Sequence, residues 1–234
     1  MVHIVGAGLG GVGSLTRRGV RLLGQADVVV LDRTSLQPVS ALAPAAAERV
    51  LVGRRPGHRG WSTDDIVALL ADRARSGLMV VRLKSGDPLL CSRGAEEALA
   101  LAEAGVEVIV TPGVTAASAA GACSGLPRGA SVTVASGNHD PVGPDVDWSA
   151  LGAHGHGGGA VVVLTGRAHQ GRVADGLVAG GRGARTAAAI VHGAGRPDED
   201  VFGVTLGEVG RVRLAPPAAL VVAPVPEGGS RAHT

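Results

Sequence analysis

The stretch from Leu78 to Pro127 constrains the fold of this chain most, because in it two apolar strands each end in a glycine–proline element. Residues 78–83 are apolar except for Arg82 and include β-branched side chains, and they run into Ser85-Gly86-Asp87-Pro88. Glycine permits a tight path in such a loop, and proline prevents the strand from continuing. The pattern predicts a buried strand that delivers Asp87 to the carboxyl end of a sheet.

A second transition of the same kind lies further along this stretch. Residues 106–110 predict a strand that ends at Pro112-Gly113, and Thr115 is placed to cap an alanine-rich helix over residues 116–122. Open α/β sheets bind ligands beyond the carboxyl ends of their strands. Each loop alone is equally typical of an ordinary connection between a strand and a helix. Together, the two loops favour a ligand pocket.

Strand and helix patterns alternate along the whole chain, which predicts an α/β fold with two lobes. The chain has 234 residues, of which 45% are hydrophobic, so it is long enough to bury a sizeable core. We expect the lobes over residues 1–111 and 114–225, followed by a disordered tail over residues 226–234. Residues 136–156 are rich in glycine, proline and aspartate and predict a long loop that contains Trp148.

Composition excludes several classes of protein. A net charge of +2 and an aromatic content of 1% do not fit a nucleic-acid stacking surface. The amino terminus lacks a basic, apolar signal and no apolar run is long enough to cross a bilayer, so we expect neither export nor a membrane span. Cys91 and Cys123 form no metal or disulfide motif, and His154 and His156 lack a third ligand. We therefore expect a cytoplasmic protein without a metal.

The basic residues are strongly biased towards arginine. Lys84 is the only lysine among the 22 Lys and Arg residues, and tyrosine is absent. A GC-rich genome would produce this bias. An arginine where a related protein has lysine therefore need not indicate a changed chemistry.

The amino-terminal segment supports a competing interpretation. Residues 2–5 predict a strand, Gly6, Gly8 and Gly11 satisfy the GxGxxG pattern, and residues 14–23 predict a helix. Asp32 ends the next predicted strand, where a dinucleotide-binding fold has its ribose-binding acid. This pattern alone is weak, but it keeps an NAD-dependent oxidoreductase open as an alternative.

Three motifs, RLKSGDP, SRGAEEALAL and VTPGVTAASAAGACSGLP, resemble in order and spacing those of the tetrapyrrole methylases, in particular the uroporphyrinogen-III C-methyltransferases. The segment GAGLGGVG corresponds to the family's GxGPGDPxLLT loop, and LDRTS is similar to its DRLVS. Leu9, Gly11 and Val12 stand where the family usually has proline, aspartate and proline. Arg128-Gly129 replaces the family's longer LTHR segment.

The resemblance implies an activity and a site. It implies a homodimer that uses S-adenosylmethionine, bound in a cleft between the two lobes, to methylate uroporphyrinogen III to precorrin-2, an intermediate for siroheme and cobalamin. Asp32 would be the general base, and Arg54 stands where the family has a proton-donating lysine. The residues that the family's motifs place around the cofactor are Ser85, Gly86, Asp87, Leu90, Thr115, Ala116, Thr165 and Ala194. A methylase-like protein that acts on another acceptor, or that binds the cofactor without turnover, is a further alternative.

Overall fold

The computed structural model describes residues 1–53, 60–127, 129, 131–137, 146–153, 159–165, 169–212 and 218–223, with only the backbone at Thr165. The chain divides into two compact units, Met1–Thr115 and Ala116–Thr234. Each unit contains one five-stranded sheet, so the predicted α/β fold with two sheets is confirmed. Arg54, His154, His156, Arg128 and the predicted tail over residues 226–234 lie outside the described residues.

The first unit is built on a parallel sheet in the order β3-β2-β4-β1-β5. Its strands are β1 (Val2–Gly6), β2 (Val28–Leu31), β3 (Glu48–Leu51), β4 (Val80–Lys84) and β5 (Val108–Thr111). Its helices are α1 (Arg17–Leu23), α2 (Gln37–Ser40), α3 (Thr63–Arg75) and α4 (Gly94–Glu103).

The central strands of this sheet are buried on both faces. Every residue of β1, β2 and β4 is buried, as expected for parallel strands that helices cover on both sides. One apolar cluster joins the sheet to Leu22 and Leu23 of α1, and the other joins it to Leu70 of α3 and Leu101 of α4. The two clusters thus cover the two faces of the sheet.

Hydrogen-bonding side chains set the starts of two helices. Ser62 accepts a hydrogen bond from the amide of Asp65, and the Asp65 carboxylate accepts one from the amide of Ser62, so a capping box begins α3. The prediction of a helix from residue 14 is wrong at its start. Val12–Ser14 form a separate 3-10 turn, and α1 begins after Thr16, whose hydroxyl accepts from the amide of Gly19.

The second unit contains a mixed sheet in the order β6-β7-β10-β8-β9. Strands β6 and β7 are parallel, whereas β10 runs antiparallel to both of its neighbours, so β6, β7 and β8 end at the same sheet edge. The strands are β6 (Val132–Ser136), β7 (Ala160–Thr165), β8 (Ala187–His192), β9 (Asp200–Thr205) and β10 (Ala218–Val222). The helices are α5 (Ala116–Cys123), α6 (Trp148–Ala153) and α7 (Gln170–Ala179), with a 3-10 turn over Leu206–Arg211.

The predicted loop around Trp148 is wrong, because Trp148 begins α6 and is buried. Helix α6 packs closely against α7 where both helices carry glycine. A Cβ added at Gly180 would lie 2.9 Å from the Cα of Gly152, and one at Gly176 would press on the Trp148 side chain. The glycines in this segment therefore permit a close helix crossing and do not simply mark a loop.

His3 gives the first unit a pH-dependent stability. This residue lies in β1 with 7% of its surface exposed, and its Nδ1 makes no hydrogen bond to any residue that the structure describes. Burial, with a smaller contribution from the charge of Arg18, lowers the pKa of His3. The imidazole is thus held neutral in the folded chain, whereas the unfolded chain takes up a proton below about pH 6.5.

We expect His3→Val to make stability less dependent on pH. Because the unfolded state binds the extra proton, the wild-type free energy of unfolding falls as pH drops through about 6.5, and the variant lacks this contribution. Urea unfolding at about pH 7.5 and about pH 5.5 measures the difference. If the free energy of unfolding falls by the same amount between these pH values in wild type and His3→Val, the pH dependence does not come from His3.

Within the part of the chain that the structure describes, no helix is long and apolar enough to cross a bilayer.

Candidate functional site

Three loops of the first unit meet at one sheet edge because β4, β1 and β5 are neighbouring parallel strands. The loop after β1 pairs with the loop after β4 through two backbone hydrogen bonds. The amide of Gly8 donates to the carbonyl of Gly86 at 3.2 Å, and the amide of Gly86 donates to the carbonyl of Gly8 at 2.7 Å. The glycine loop and the SGDP loop therefore form one continuous backbone surface.

The third loop joins this surface through glycine. A Cβ added at Gly6 would lie 2.5 Å from the amide nitrogen of Gly113 and 2.8 Å from the carbonyl oxygen of Gly86, so the three loops pack backbone against backbone. Gly86 has a φ of +67°, and a Cβ there would meet no atom within 4 Å. One side of Gly86 is thus open, and a ligand could approach the backbone closely there.

Asp87 braces two of these loops. Its Oδ1 accepts hydrogen bonds from the amides of Leu89 at 2.9 Å and Leu90 at 3.2 Å, and its Oδ2 accepts one from the amide of Gly113 at 3.1 Å. The sequence pattern predicts Asp87 as an acid delivered to the ligand. The structure shows both carboxylate oxygens bound to backbone amides, so Asp87 fixes the positions of the loops.

Ser14 closes the glycine loop. Its hydroxyl accepts a hydrogen bond from the amide of Leu9 and donates one to the carbonyl of Gly11, each at 2.8 Å. Gly8 has a φ of +63°, and a Cβ there would lie 2.6 Å from the Ser14 hydroxyl oxygen. The loop that lacks the usual prolines and aspartate is thus held by a serine side chain and by the left-handed glycine beside it.

A buried cluster of charged side chains lies next to these loops. Arg82 of β4 is 1% exposed and donates from Nη2 to Asp32 Oδ1 at 2.5 Å and from Nε to Glu97 Oε2 at 2.9 Å. Lys84 donates to the other oxygen of Glu97 at 2.7 Å. Asp32, which directly follows β2, is the partly exposed member, with 30% of its side chain accessible.

The cluster is stable only as a set of ions. Burial alone would lower the pKa of Arg82, but the nearby carboxylates of Asp32 and Glu97 outweigh it and raise this pKa above its usual value. The charges of Arg82 and Lys84 balance those of Asp32 and Glu97. Of these four side chains, Asp32 is the most exposed.

The strand order does not support the NAD alternative. In the classic dinucleotide-binding fold, β1 and β2 are neighbours, so the acid after β2 lies beside the glycine loop after β1. Here β4 lies between β1 and β2. The first helix also begins only at Arg17, beyond the 3-10 turn, so the GxGxxG loop does not lead directly into a helix amino terminus.

The second unit holds the other residues that the sequence assigns to the cofactor. Thr165 ends β7 and Ala194 follows β8, and Ala218 of β10 pairs with both Thr165 and His192, so both positions lie at one sheet edge. Ala116 begins α5, which packs against β7 and β10. Thr165, Ala194 and Ala116 therefore all belong to the second unit.

Glu199 links the turn after β8 to the end of α5. Its Oε2 accepts hydrogen bonds from the amide of Gly195 at 2.6 Å and from the Cys123 thiol at 2.9 Å. Burial and this bond raise the pKa of Cys123, so the thiol remains the proton donor. The bond fixes the turn that carries Ala194.

The comparison with known families decides the identity. Residues 1–210 match the family described as Tetrapyrrole (Corrin/Porphyrin) Methylases. The chain is a tetrapyrrole methylase. The resemblance drawn from the three sequence motifs is therefore confirmed.

Curated relatives of this methylase include two siroheme synthases. Siroheme synthase 1 of Yersinia pseudotuberculosis is 38% identical over 227 residues, which cover 94% of this chain and 48% of that protein. Siroheme synthase of Chromobacterium violaceum is also 38% identical, with 97% of this chain and 49% of the relative covered. The chain spans about half the length of these relatives.

Solved structures of similar enzymes cover the methylase almost completely. A uroporphyrin-III C-methyltransferase from Thermus thermophilus, complexed with S-adenosylhomocysteine, is 36% identical with a TM-score of 0.80, covering 94% of this chain and 96% of that one. A cobalamin biosynthetic enzyme, cobalt precorrin-4 methyltransferase, is 25% identical with the same TM-score, covering 94% and 93%. The fold of the methylase is thus that of the tetrapyrrole methyltransferases.

The structure brings part of the predicted site together. Ser85, Gly86, Asp87 and Leu90 lie in the loop after β4, and Thr115 follows the Gly113 loop that Asp87 contacts. Asp32 lies at the same sheet edge, two strands from β1. Sequence reasoning missed the residues that organise the edge of the methylase, which are Ser14, Arg82, Lys84, Glu97 and Gly113.

Arg54 of the methylase lies outside the described residues, but the backbone that leads to it is described. Gly53 follows β3 so closely beside Asp32 that an added Cβ would overlap the Asp32 carbonyl oxygen. Only glycine therefore fits at this position.

Proposed function

We propose that this methylase transfers methyl groups from S-adenosylmethionine to carbons of a tetrapyrrole, with uroporphyrinogen III as acceptor and precorrin-2 as product. The observation that carries the proposal is the match over nearly the whole chain to the Thermus thermophilus enzyme complexed with S-adenosylhomocysteine. The siroheme synthase relatives support the same acceptor.

The glycine surface of the first unit fits a bulky cofactor. Gly86 is open on one side, and Gly6 and Gly113 let the three loops pack backbone against backbone without side chains in between. Adenosine and amino-acid groups are recognised by such convergent polar groups in a largely preformed site. We assign the cofactor to Ser85, Gly86, Asp87, Leu90, Thr115, Ala116, Thr165 and Ala194, with Asp87 acting through the loops that it braces.

Asp32 is proposed as the general base. S-adenosylmethionine supplies an electrophilic methyl group, and the protein's task is to hold it in line with the acceptor carbon and exclude water. The pyrrole ring becomes cationic when its carbon forms the new bond. A carboxylate at the sheet edge stabilises this charge and takes a proton from the cation, which leaves a neutral methylated tetrapyrrole.

Arg54 is proposed to stand in for the family's lysine. An arginine keeps the positive charge but does not readily give up a proton. Its role is therefore electrostatic, towards the carboxylates of uroporphyrinogen.

Three further features belong to the proposal. We infer lobes over residues 1–111 and 114–225, a cytoplasmic location, and a homodimer, which is the commonest closed assembly of a soluble chain. Light scattering measures the assembly directly, and a monomer mass at high concentration would contradict it.

Asp87→Ala is expected to weaken S-adenosylhomocysteine binding by about 1–3 kcal/mol. The substitution leaves the amides of Leu89, Leu90 and Gly113 without their acceptor, so the cofactor loops lose their bracing. Isothermal calorimetry measures the dissociation constant. Asp64→Ala removes an exposed carboxylate from the first turn of α3 and serves as the control, with unchanged affinity expected.

The same calorimetric experiment separates the proposed function from the NAD alternative. Wild-type protein is expected to bind S-adenosylhomocysteine and to give no heat with NAD. Micromolar NAD binding without binding of S-adenosylhomocysteine would overturn the methylase assignment of the site.

A further inference from the structure

We propose that Arg82 is a positioning residue that fixes the orientation of the Asp32 carboxylate, with Glu97 and Lys84 holding Arg82 in place. The catalytic consequence rests on the proposed function, in which Asp32 is the base. The effect on Asp32 itself is independent of turnover.

The geometry of Arg82 supports this role. Its guanidinium is held by the Glu97 carboxylate through Nε at 2.9 Å and Nη2 at 3.1 Å, and Nη1 donates to the carbonyl of Val30 at 3.4 Å. Nη2 also donates to Asp32 Oδ1 at 2.5 Å. The bonds to Glu97 of α4 and Val30 of β2 hold the planar guanidinium in one orientation. The hydrogen bond from this fixed group therefore determines the orientation of the Asp32 carboxylate.

Lys84 shares the negative charge of Glu97 with Arg82. Both cations bind this one buried carboxylate, so Glu97 alone does not balance their charge. The remaining positive charge is balanced by Asp32, which is the member of the cluster that reaches the exposed edge. In a chain with 22 Lys and Arg residues, the only lysine is thus buried where a compact ammonium group meets a single carboxylate oxygen.

A buried cluster of this kind could serve stability alone, but its asymmetry points to function. Glu97 and Arg82 are 3% and 1% exposed, whereas the Asp32 side chain is 30% exposed and ends the chain of charges. A purely structural cluster gains nothing from one partly exposed member, because solvent weakens that pair. The exposed carboxylate at the end of a rigid chain is the arrangement that a preorganised base requires.

Several charged groups surround Asp32 and enter the test. Arg82 and Lys84 belong to β4, and Glu97 belongs to α4. On its own segment, Arg33 follows Asp32 directly. The basic residues after Gly53 lie outside the described residues, and they are Arg54, Arg55, His58 and Arg59.

The first experiment records the NMR signal of the Asp32 carboxyl carbon at neutral pH, with Asp32→Asn used to assign the signal. In Arg82→Gln, this signal is expected to move away from its wild-type position, because the hydrogen bond from Arg82 Nη2 to Asp32 Oδ1 is lost. Arg73→Gln is the matched control and should leave the signal in place, since Arg73 binds Glu48 in an exposed ion pair. An Asp32 signal at the same position in wild type and Arg82→Gln would overturn the proposal.

The second experiment measures kcat in a double-mutant cycle. Arg82→Gln is expected to lower kcat by more than about tenfold with unchanged affinity for S-adenosylhomocysteine, and to have no further effect in the Asp32→Asn background. Removal of a buried cation lowers stability under either role, but a merely structural role would also weaken cofactor affinity, and its effect on kcat would add to that of Asp32→Asn. Additive losses of kcat would therefore contradict the positioning role.

Arg82→Lys guards against a variant that fails to fold. It keeps the positive charge but loses the fork that binds two partners. We expect kcat to fall in this variant, because the orientation of Asp32 is lost. Wild-type kcat in this variant would contradict the orientation role.

The two experiments also separate this proposal from the proposed function. A wild-type protein without methyl transfer would remove the assigned reaction, while the NMR comparison would still decide whether Arg82 orients Asp32.

Discussion

Glu97→Gln is expected to lower the free energy of unfolding by about 3–5 kcal/mol, because it leaves two buried cations facing one carboxylate. Glu97 binds Arg82 and Lys84, and all three side chains are at most 5% exposed. The substitution changes the volume very little, so the loss reflects charge and hydrogen bonding. Urea unfolding at neutral pH measures it.

Glu48→Gln provides the control for this prediction. Glu48 binds Arg73 through two hydrogen bonds of 2.8 and 3.0 Å, but the two side chains are 43% and 31% exposed. Solvent screens such a pair, and we expect a change within about 1 kcal/mol. Losses of similar size in both variants would contradict the account of the buried cluster.

Asp32→Asn is expected to slow methyl transfer by about 10²–10⁴-fold while the affinity for S-adenosylhomocysteine stays nearly unchanged. The amide keeps the size of the side chain, but it neither carries the negative charge nor takes the proton. Steady-state kinetics with saturating cofactor, together with calorimetry, separate the two effects.

If Asp32 only supports the loop after β2, Asp32→Asn should instead lower stability and weaken all ligands alike. A rate near that of wild type would also contradict the catalytic role. Asp27 is a suitable matched control, because it lies at the opposite end of β2, where its carboxylate accepts a bond from the amide of Met79. Asp27→Asn is expected to leave kcat unchanged.

The sequence predicts the loops of this site because their chemistry is local. Proline and glycine after an apolar strand force the chain to turn wherever the strand packs, so the SGDP and PGVT loops lie at the expected strand ends. The interaction of Asp87 with Gly113 depends on which strands are neighbours, and the local pattern does not contain that information.

The buried cluster was missed because charged residues are usually exposed. Arg82 and Lys84 alternate within β4, so they lie on one face of a strand whose apolar neighbours are all buried, and this alternation was the available signal. Glu97 is four residues before the fully buried Leu101, whereas its neighbour Glu96 is exposed. Once α4 is packed on the sheet, Glu97 lies on its buried face and Glu96 lies on its exposed face.

Glycine was the main source of error in the second unit. The sequence around Trp148 contains many glycines and predicts a loop, but some of them allow α6 and α7 to pack closely. Glycine has the same local signature in a turn and in a close helix contact, and only the packing partner separates the two.

Incubation of the purified protein with methyl-labelled S-adenosylmethionine and uroporphyrinogen III tests the central claim most directly. We predict label in a methylated tetrapyrrole, formed together with S-adenosylhomocysteine, and loss of this product in Asp32→Asn. A wild-type protein that binds S-adenosylhomocysteine but transfers no label to uroporphyrinogen III would contradict the proposed function.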